Sequence, residues 1–169
     1  AIVVYPETKA AQGRRFLAFV NGRRRFHFHN YFKRTLRPAT AEMSALTEAE
    51  RTRGFTAFAR DWMRDVFYND RPANGERREK LTASAFAGEY EPVTVAVLPL
   101  QDLGRVTVSA SDLEGPGASI PAAAIDVSYV SYRLSRVTME GSVYTIAPRY
   151  LMPRPAVAMP KDITRRFWL

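Results

Sequence analysis

Cysteine is absent from the sequence. That excludes disulfide staples, thiolate metal sites and Cys-based nucleophiles, and leaves the core and the hydrogen-bond ladder to hold the fold. Histidine is nearly absent, His27 and His29 being the only two. No serine sits in a nucleophile-elbow context, so no Ser-His-Asp set is visible. Apolar runs never approach the roughly 18 residues of a membrane-spanning helix, and no membrane span is expected. Lysine supplies only four (Lys9, Lys33, Lys80, Lys161) of the 25 Lys and Arg residues. Against 17 acidic residues these give a net charge of +8, which favours acidic polymers or anionic surfaces as partners through long-range electrostatics. No nucleic-acid reading motif accompanies the charge, which argues against nucleic acid.

The chain has 169 residues, of which 46% are hydrophobic and 12% aromatic. That suffices for one sizeable core, as one domain or one domain with an arm. At the amino terminus Ala1–Tyr5 reads as a strand. Arg15–Val20, the turn dipeptide Asn21-Gly22 and a return strand Arg25–Phe32 predict a hairpin. In that strand Phe26, Phe28 and Phe32 share one face and His27, His29 and Tyr31 the other. Ala39–Arg53 is rich in Ala, Glu and Arg, with Thr47 and Glu50 at capping-box spacing, and predicts a helical linker. The stretch from Phe55 to Phe67 fits a helical stripe (Phe55, Phe58, Ala59, Trp62, Met63, Val66, Phe67), while Phe58, Trp62 and Val66 also share a strand face.

From Ala87 onward short β-branched or aromatic runs alternate with turn chemistry. Strands are expected at Pro92–Pro99, Arg105–Ala110, Ile125–Leu134, Val143–Ala147 and Thr164–Leu169. The breaks fall at Asp102–Gly104, Glu114–Gly117, Glu140–Gly141 and Pro153–Pro155. Pro92 stands where a strand's first residue needs no ladder donor. After Asp102-Leu103-Gly104, Val106, Val108 and Ala110 are expected to return as the partner of the preceding strand. Short strands at this spacing predict a mainly β fold, an antiparallel β-sandwich of jelly-roll or Ig-like kind, carrying an N-terminal hairpin arm and a short helical linker.

Four motifs carry a family resemblance: Tyr68–Pro72 (YNDRP), Ala85–Gly117, Ile120–Arg136, and the closing Met159–Leu169 (MPKDITRRFWL). Over Gly54 to Leu169 the chain resembles the N-terminal β-sandwich domain of glycoside hydrolase family 123-like bacterial proteins. The resemblance implies an organisation of three parts: residues 1–38 as a hairpin or arm that the family does not match, 39–53 as linker, and 54–169 as an accessory sandwich truncated at its C-terminus. It implies an extended strand around Thr56 and Ala57. It further implies a secreted, periplasmic or cell-surface protein acting on carbohydrate, with a catalytic barrel beyond Leu169 and no catalytic residue in this chain. The partner would be a neighbouring catalytic domain, another copy of the chain, or a polysaccharide, and no cofactor is expected. The alternatives are a structural or assembly protein of an extracellular fibre or surface layer using an open edge strand, and a metal-dependent cupin-like enzyme using His27 and His29.

The family's chemistry uses an adjacent Asp and Glu, and no such pair occurs in the sequence. Glu89, Glu91, Asp112 and Glu114 remain as carboxylates that folding can bring together, although turn duties explain them. His27 and His29, two apart on a strand, would point the same way as metal ligands of cupin type. The third histidine and the following Glu that a cupin supplies are missing, Lys33 and Arg34 standing there instead, so the sequence assigns no metal site. Aromatic rings stack on sugars, which makes Trp62, Tyr129, Tyr132, Tyr144, Tyr150 and Trp168 candidates, most of them destined for the core. Tyr132 and Tyr144, beside Arg, Ser or Thr, are the expected glycan contacts. The clusters Arg23-Arg24-Arg25, Arg77-Arg78 and Arg165-Arg166 suit acidic partners, and Arg165, Arg166 and Trp168 are expected at a partner interface.

Overall fold

The computed structural model of the chain describes residues 9–31, 33–35, 43, 45–78, 80–115, 117–137, 143–154 and 156–169. The expected strand Ala1–Tyr5 and the turn Glu140–Gly141 lie outside these residues. In chain order the elements are α1 (Lys9–Tyr31), β1 (Lys33–Arg34), α2 (Glu48–Arg53), β2 (Phe55–Phe58), β3 (Thr94–Pro99), β4 (Arg105–Thr107), β5 (Leu113–Gly115) and β6 (Ala118–Ile120). A 3-10 turn at Ala122–Ala124 follows, then β7 (Ser128–Arg136), β8 (Val143–Met152), β9 (Ala156–Ala158) and β10 (Arg165–Trp168). The fold is mainly β with antiparallel sheets, as expected from the sequence, and among the described residues the sheets do not close into a barrel. Two compact units divide it, one made of Ala1–Thr35 and Arg136–Thr145, the other of Leu36–Ser135 and Ile146–Leu169.

In the first unit the expected hairpin is replaced by α1, a helix of 23 residues. Asn21-Gly22 lies inside it, and Gly22 is not among the residues with positive φ that a tight hairpin turn would require. The run contains no acidic residue, but Ala, Gln, Leu and Arg are good helix formers. An isolated two-stranded hairpin, by contrast, is marginal in water. Phe16, Leu17 and Phe19 are exposed along the helix, with Arg23 set over the Phe19 ring at 5.8 Å. After α1 the short β1 runs parallel to the start of β8, Lys33 beside Val143 and Arg34 beside Tyr144.

In the second unit the strands run β8-β7-β10-β3-β2 across one antiparallel sheet. β10 lies between β3 (Arg166 opposite Ala96) and β7 (Phe167 opposite Tyr129), and β2 closes the edge (Phe58 opposite Ala96). Thr56 and Phe58 on β2, and Thr94, Ala96 and Leu98 on β3, are buried in strand alternation. Phe58, Val66, Ala96 and Leu98 form the core cluster with Met43 against it, and Met159 and Phe167 are wholly buried. Each such large apolar side chain contributes about 1.5–3 kcal/mol of transfer free energy.

A further expectation needs correction. The run after Asp102-Leu103-Gly104 does not return onto β3: β4 pairs with β9, Val106 opposite Val157. Both sides of β3 are already taken by β2 and β10, so the local hairpin has no edge to join. The extended strand expected around Thr56 and Ala57 is present as β2, which ends at Phe58, and the chain then runs without helix to Glu76. Its helical stripe goes unused, because pairing with β3 buries Thr56 and Phe58 and the following loop is held by polar contacts.

Within the stretch expected as a helical linker, residues 39–42 and 44 lie outside the described residues, and Glu48–Arg53 form α2, which belongs to the second unit. Its capping box forms as spaced: the Thr47 hydroxyl accepts from the Glu50 amide at 3.2 Å, and the Glu50 carboxylate accepts from the Thr47 amide at 2.8 Å. Gly54 ends the helix at φ 76° and accepts from the Leu100 amide at 2.9 Å, which ties α2 to the end of β3. Glu50 is also buried, accepting from the Thr56 hydroxyl at 2.6 Å and from Arg77 Nη1 at 2.9 Å. Burial alone would raise its pKa, but the hydrogen bonds from Thr56 and Thr47 and the Arg77 charge outweigh it and bring the pKa to about 2.

Candidate functional site

The loop after β2 owes its shape to one arginine. Arg166, on the central strand β10, is only 3% exposed. Its Nη1 donates to the Arg64 carbonyl, and its Nη2 donates to the carbonyls of Arg60 (3.1 Å) and Asp61 (3.0 Å) and to the Thr94 hydroxyl (2.7 Å). Every one of these acceptors is uncharged, and no carboxylate accepts a hydrogen bond from the guanidinium among the described residues. Burial accordingly pulls its pKa below the ordinary arginine value. The backbone of residues 60–64 wraps this cation, and within the loop the Asp61 carboxylate accepts from the Met63 amide at 2.8 Å. At the crest Trp62 is left 45% exposed.

A second polar cluster holds the loop from below. Arg60 forks onto Glu76 (Nε to Oε1 2.7 Å, Nη2 to Oε2 3.0 Å) and reaches the fully buried Asp70 at 2.7 Å. The Arg60 bonds draw the Glu76 carboxyl down against the opposing effect of burial. Asp70 belongs to the YNDRP motif, whose Tyr68 and Asp70 carbonyls accept from the amide and the hydroxyl of Thr164, both at 2.7 Å. The motif is thereby a tie between the loop and the chain entering β10.

Trp62 stands between two clefts. On one side lies a polar cleft of about 420 Å³ lined by Arg60, Asp61, Arg78, Thr82, Glu91 and Thr94, among others. On the other a smaller cleft of about 170 Å³ is walled by Trp62, Trp168, Tyr150 and Leu151, with Asp65, Arg149 and Arg166 as its charged groups. Trp62 and Trp168 meet edge to face, centroids 6.1 Å apart at 73°. Tyr150 is 61% exposed on β8. Arg149 is anchored by its Nε, which donates to the Ser135 hydroxyl at 2.6 Å. Three aromatic rings beside charged hydrogen-bonding groups can hold a flat, partly apolar, hydroxyl-bearing ligand.

The residues singled out from the sequence fare unevenly. Of the expected glycan contacts, Tyr132 has its hydroxyl buried, its ring edge-on to Tyr68 (6.3 Å) and the Arg165 guanidinium over its face (5.4 Å). That face is already used, and burial raises the hydroxyl's pKa. Tyr144 belongs to the first unit, where Arg136 lies 5.8 Å over its ring and donates to its hydroxyl at 3.4 Å.

The interface trio divides between two faces of β10, because successive strand residues alternate. Arg165 faces Tyr132 and Tyr68, whereas Arg166 and Trp168 face the Trp62 loop. Arg166 is therefore a buried support of the loop, which corrects its expected place at a partner interface, and Trp168 is a cleft wall. Nor do Arg77 and Arg78 act together: Arg77 is spent on Glu50 and the Ala45 carbonyl, while Arg78 lines the larger cleft.

His27 and His29 lie within α1, and of these two residues only the backbone is described. Positions two apart on a helix are about 200° apart around its axis, so the shared strand face that made them a ligand pair does not exist. Among the described residues no group of three or more His, Asp or Glu residues is placed to hold a metal ion. The carboxylates Glu89 and Asp112 accept from the Phe86 amide (3.0 Å) and the Ala122 amide (2.7 Å), and Glu114 lies on β5. Glu91 lines the larger cleft.

Two features were not anticipated: the wrapping of residues 60–64 around Arg166, and the junction of Trp62, Tyr150 and Trp168. The rings stand 88 and 18 residues apart in sequence, and only the sheet order joins them. No protein-family model matches the chain, and no curated protein matches it.

Proposed function

We propose that this chain is a noncatalytic accessory module of a carbohydrate-active protein, and that it contacts glycan through the cleft of Trp62, Trp168 and Tyr150. The observation that carries the reading is the edge-to-face pair Trp62–Trp168 in one cleft lining with Tyr150, Arg149 and Asp65. A pyranose presents an apolar face to a ring and hydroxyls to charged neighbours, and the cleft offers both kinds of surface. The resemblance of residues 54–169 to the domain that precedes a glycoside hydrolase barrel supports the same reading. So does the use of Glu89 and Asp112 as acceptors for nearby backbone amides.

In this reading the chemistry belongs to a neighbouring domain of a secreted or cell-surface protein, and the sandwich positions substrate for it. The test is retention on insoluble or immobilised polysaccharides, neutral and acidic, followed by Trp62→Ala. A loss of about tenfold in affinity, about 1.4 kcal/mol, is expected for the ring. Retention unchanged by Trp62→Ala, or no retention on any glycan, would refute the reading.

A further inference from the structure

Two of the three charged residues that line the smaller cleft are arginines. Resting on the glycan reading above, we infer that it recognises an acidic sugar, seating a carboxylate or sulfate group against Arg149 while the ring of the sugar lies on Trp62 and Tyr150. Arg149 uses its Nε on the Ser135 hydroxyl, and no carboxylate pairs with it among the described residues. Its terminal nitrogens are therefore available as a fork, the geometry that pairs with a planar carboxylate or with sulfate oxygens. Arg166 contributes a second positive charge to the lining; its hydrogen bonds go to carbonyls and a hydroxyl, and Asp65 and Asp61 act on it only through space. A charge held in a partly dry site acts on a nearby anion more strongly than one in water. Asp65 is the single acidic residue of the lining, so two cations face one anion.

The larger cleft supplies the contrast. Its Arg60 is paired with Asp70 and Glu76, which leaves Arg78 against Asp61 and Glu91. Anion preference is thus a property of the Tyr150 side of Trp62 and not of both. A volume of about 170 Å³ suits one sugar unit rather than an oligosaccharide.

The probes are polygalacturonate and a sulfated galactan, each beside its neutral counterpart made by carboxyl reduction or desulfation. Binding to at least one acidic polymer is expected to exceed binding to its neutral form by about tenfold, and the polymer that shows the preference identifies the anion. Arg149→Gln should abolish that preference, Arg149→Lys should keep part of it, and Arg105→Gln, which removes the same charge from β4, should leave it intact. Equal loss in R105Q and R149Q would mean that net charge alone draws the polymer, and would overturn the inference. Equal binding of acidic and neutral forms, abolished by Trp62→Ala, would overturn it too while leaving the glycan reading standing. No binding to any of the four would remove both.

Discussion

Replacing Glu50 by Gln tests whether the buried carboxylate that caps α2 also holds it to the sheet. Both oxygens act as acceptors, one taking the Thr56 hydroxyl and the other the Thr47 amide, the Thr47 hydroxyl and Arg77. A native pKa of about 2 against an ordinary 4.5 means that the ionised form is stabilised by folding. Because the folded value is the depressed one, this contribution is complete above about pH 4.5 and disappears as the pH falls through 2. The difference corresponds to about 3 kcal/mol at neutral pH, of which about 1.4 kcal/mol remains at pH 3. Urea unfolding of wild type and Glu50→Gln, compared at pH 7 and pH 3, isolates the effect from other carboxylates such as Glu76, which titrate in both proteins. The gap between the two should shrink by about 2 kcal/mol on going to pH 3. A gap that is the same at both values would refute the argument that the charge, rather than shape and packing, ties α2 to β2.

Further perturbations address other joints. Arg166→Met removes the group around which residues 60–64 wrap and should destabilise the second unit by about 3–5 kcal/mol, read by chemical denaturation, since buried carbonyls lose their donors. Should the variant still fold, Trp62 fluorescence should become more quenchable as its loop loosens. Gly54→Ala places a side chain at φ 76° and against Gln101, and should lower stability by about 1–2 kcal/mol in urea titration. Gly22→Ala distinguishes helix from hairpin in the first unit: with open space around its Cβ it should raise the helical signal in circular dichroism, stabilising by about 0.5–1 kcal/mol. Loss of signal would favour the hairpin. Met159→Ala should cost about 2–5 kcal/mol, because the residue is wholly buried.

The two halves of the chain were not equally legible. β3 ends at Pro99 as expected and β10, Arg165–Trp168, falls within the expected Thr164–Leu169, because β-branched or aromatic runs flanked by turn residues have few other ways to bury themselves. The capping box at Thr47 and Glu50 was readable since its chemistry spans three residues. The amino-terminal segment was not, because an Asn-Gly dipeptide and a short alternation favour a hairpin locally, whereas the helix-forming Ala, Gln, Leu and Arg around them carry α1 through the dipeptide. Nor did sequence order reveal that β4 would join β9, a choice made by which edges of β3 were already filled.

Composition and local pattern alone determined that this is a Cys-free, basic, mainly β chain, and they placed most of its later strands. Only the tertiary structure decided that Tyr132 is covered, that Arg165 and Arg166 face opposite ways, and that Trp62, Tyr150 and Trp168 share a cleft. The physical reason is the range of the interactions. Strand propensity and turn chemistry act over a few residues, whereas the cleft depends on sheet order and on one buried guanidinium that gathers backbone carbonyls from about a hundred residues away.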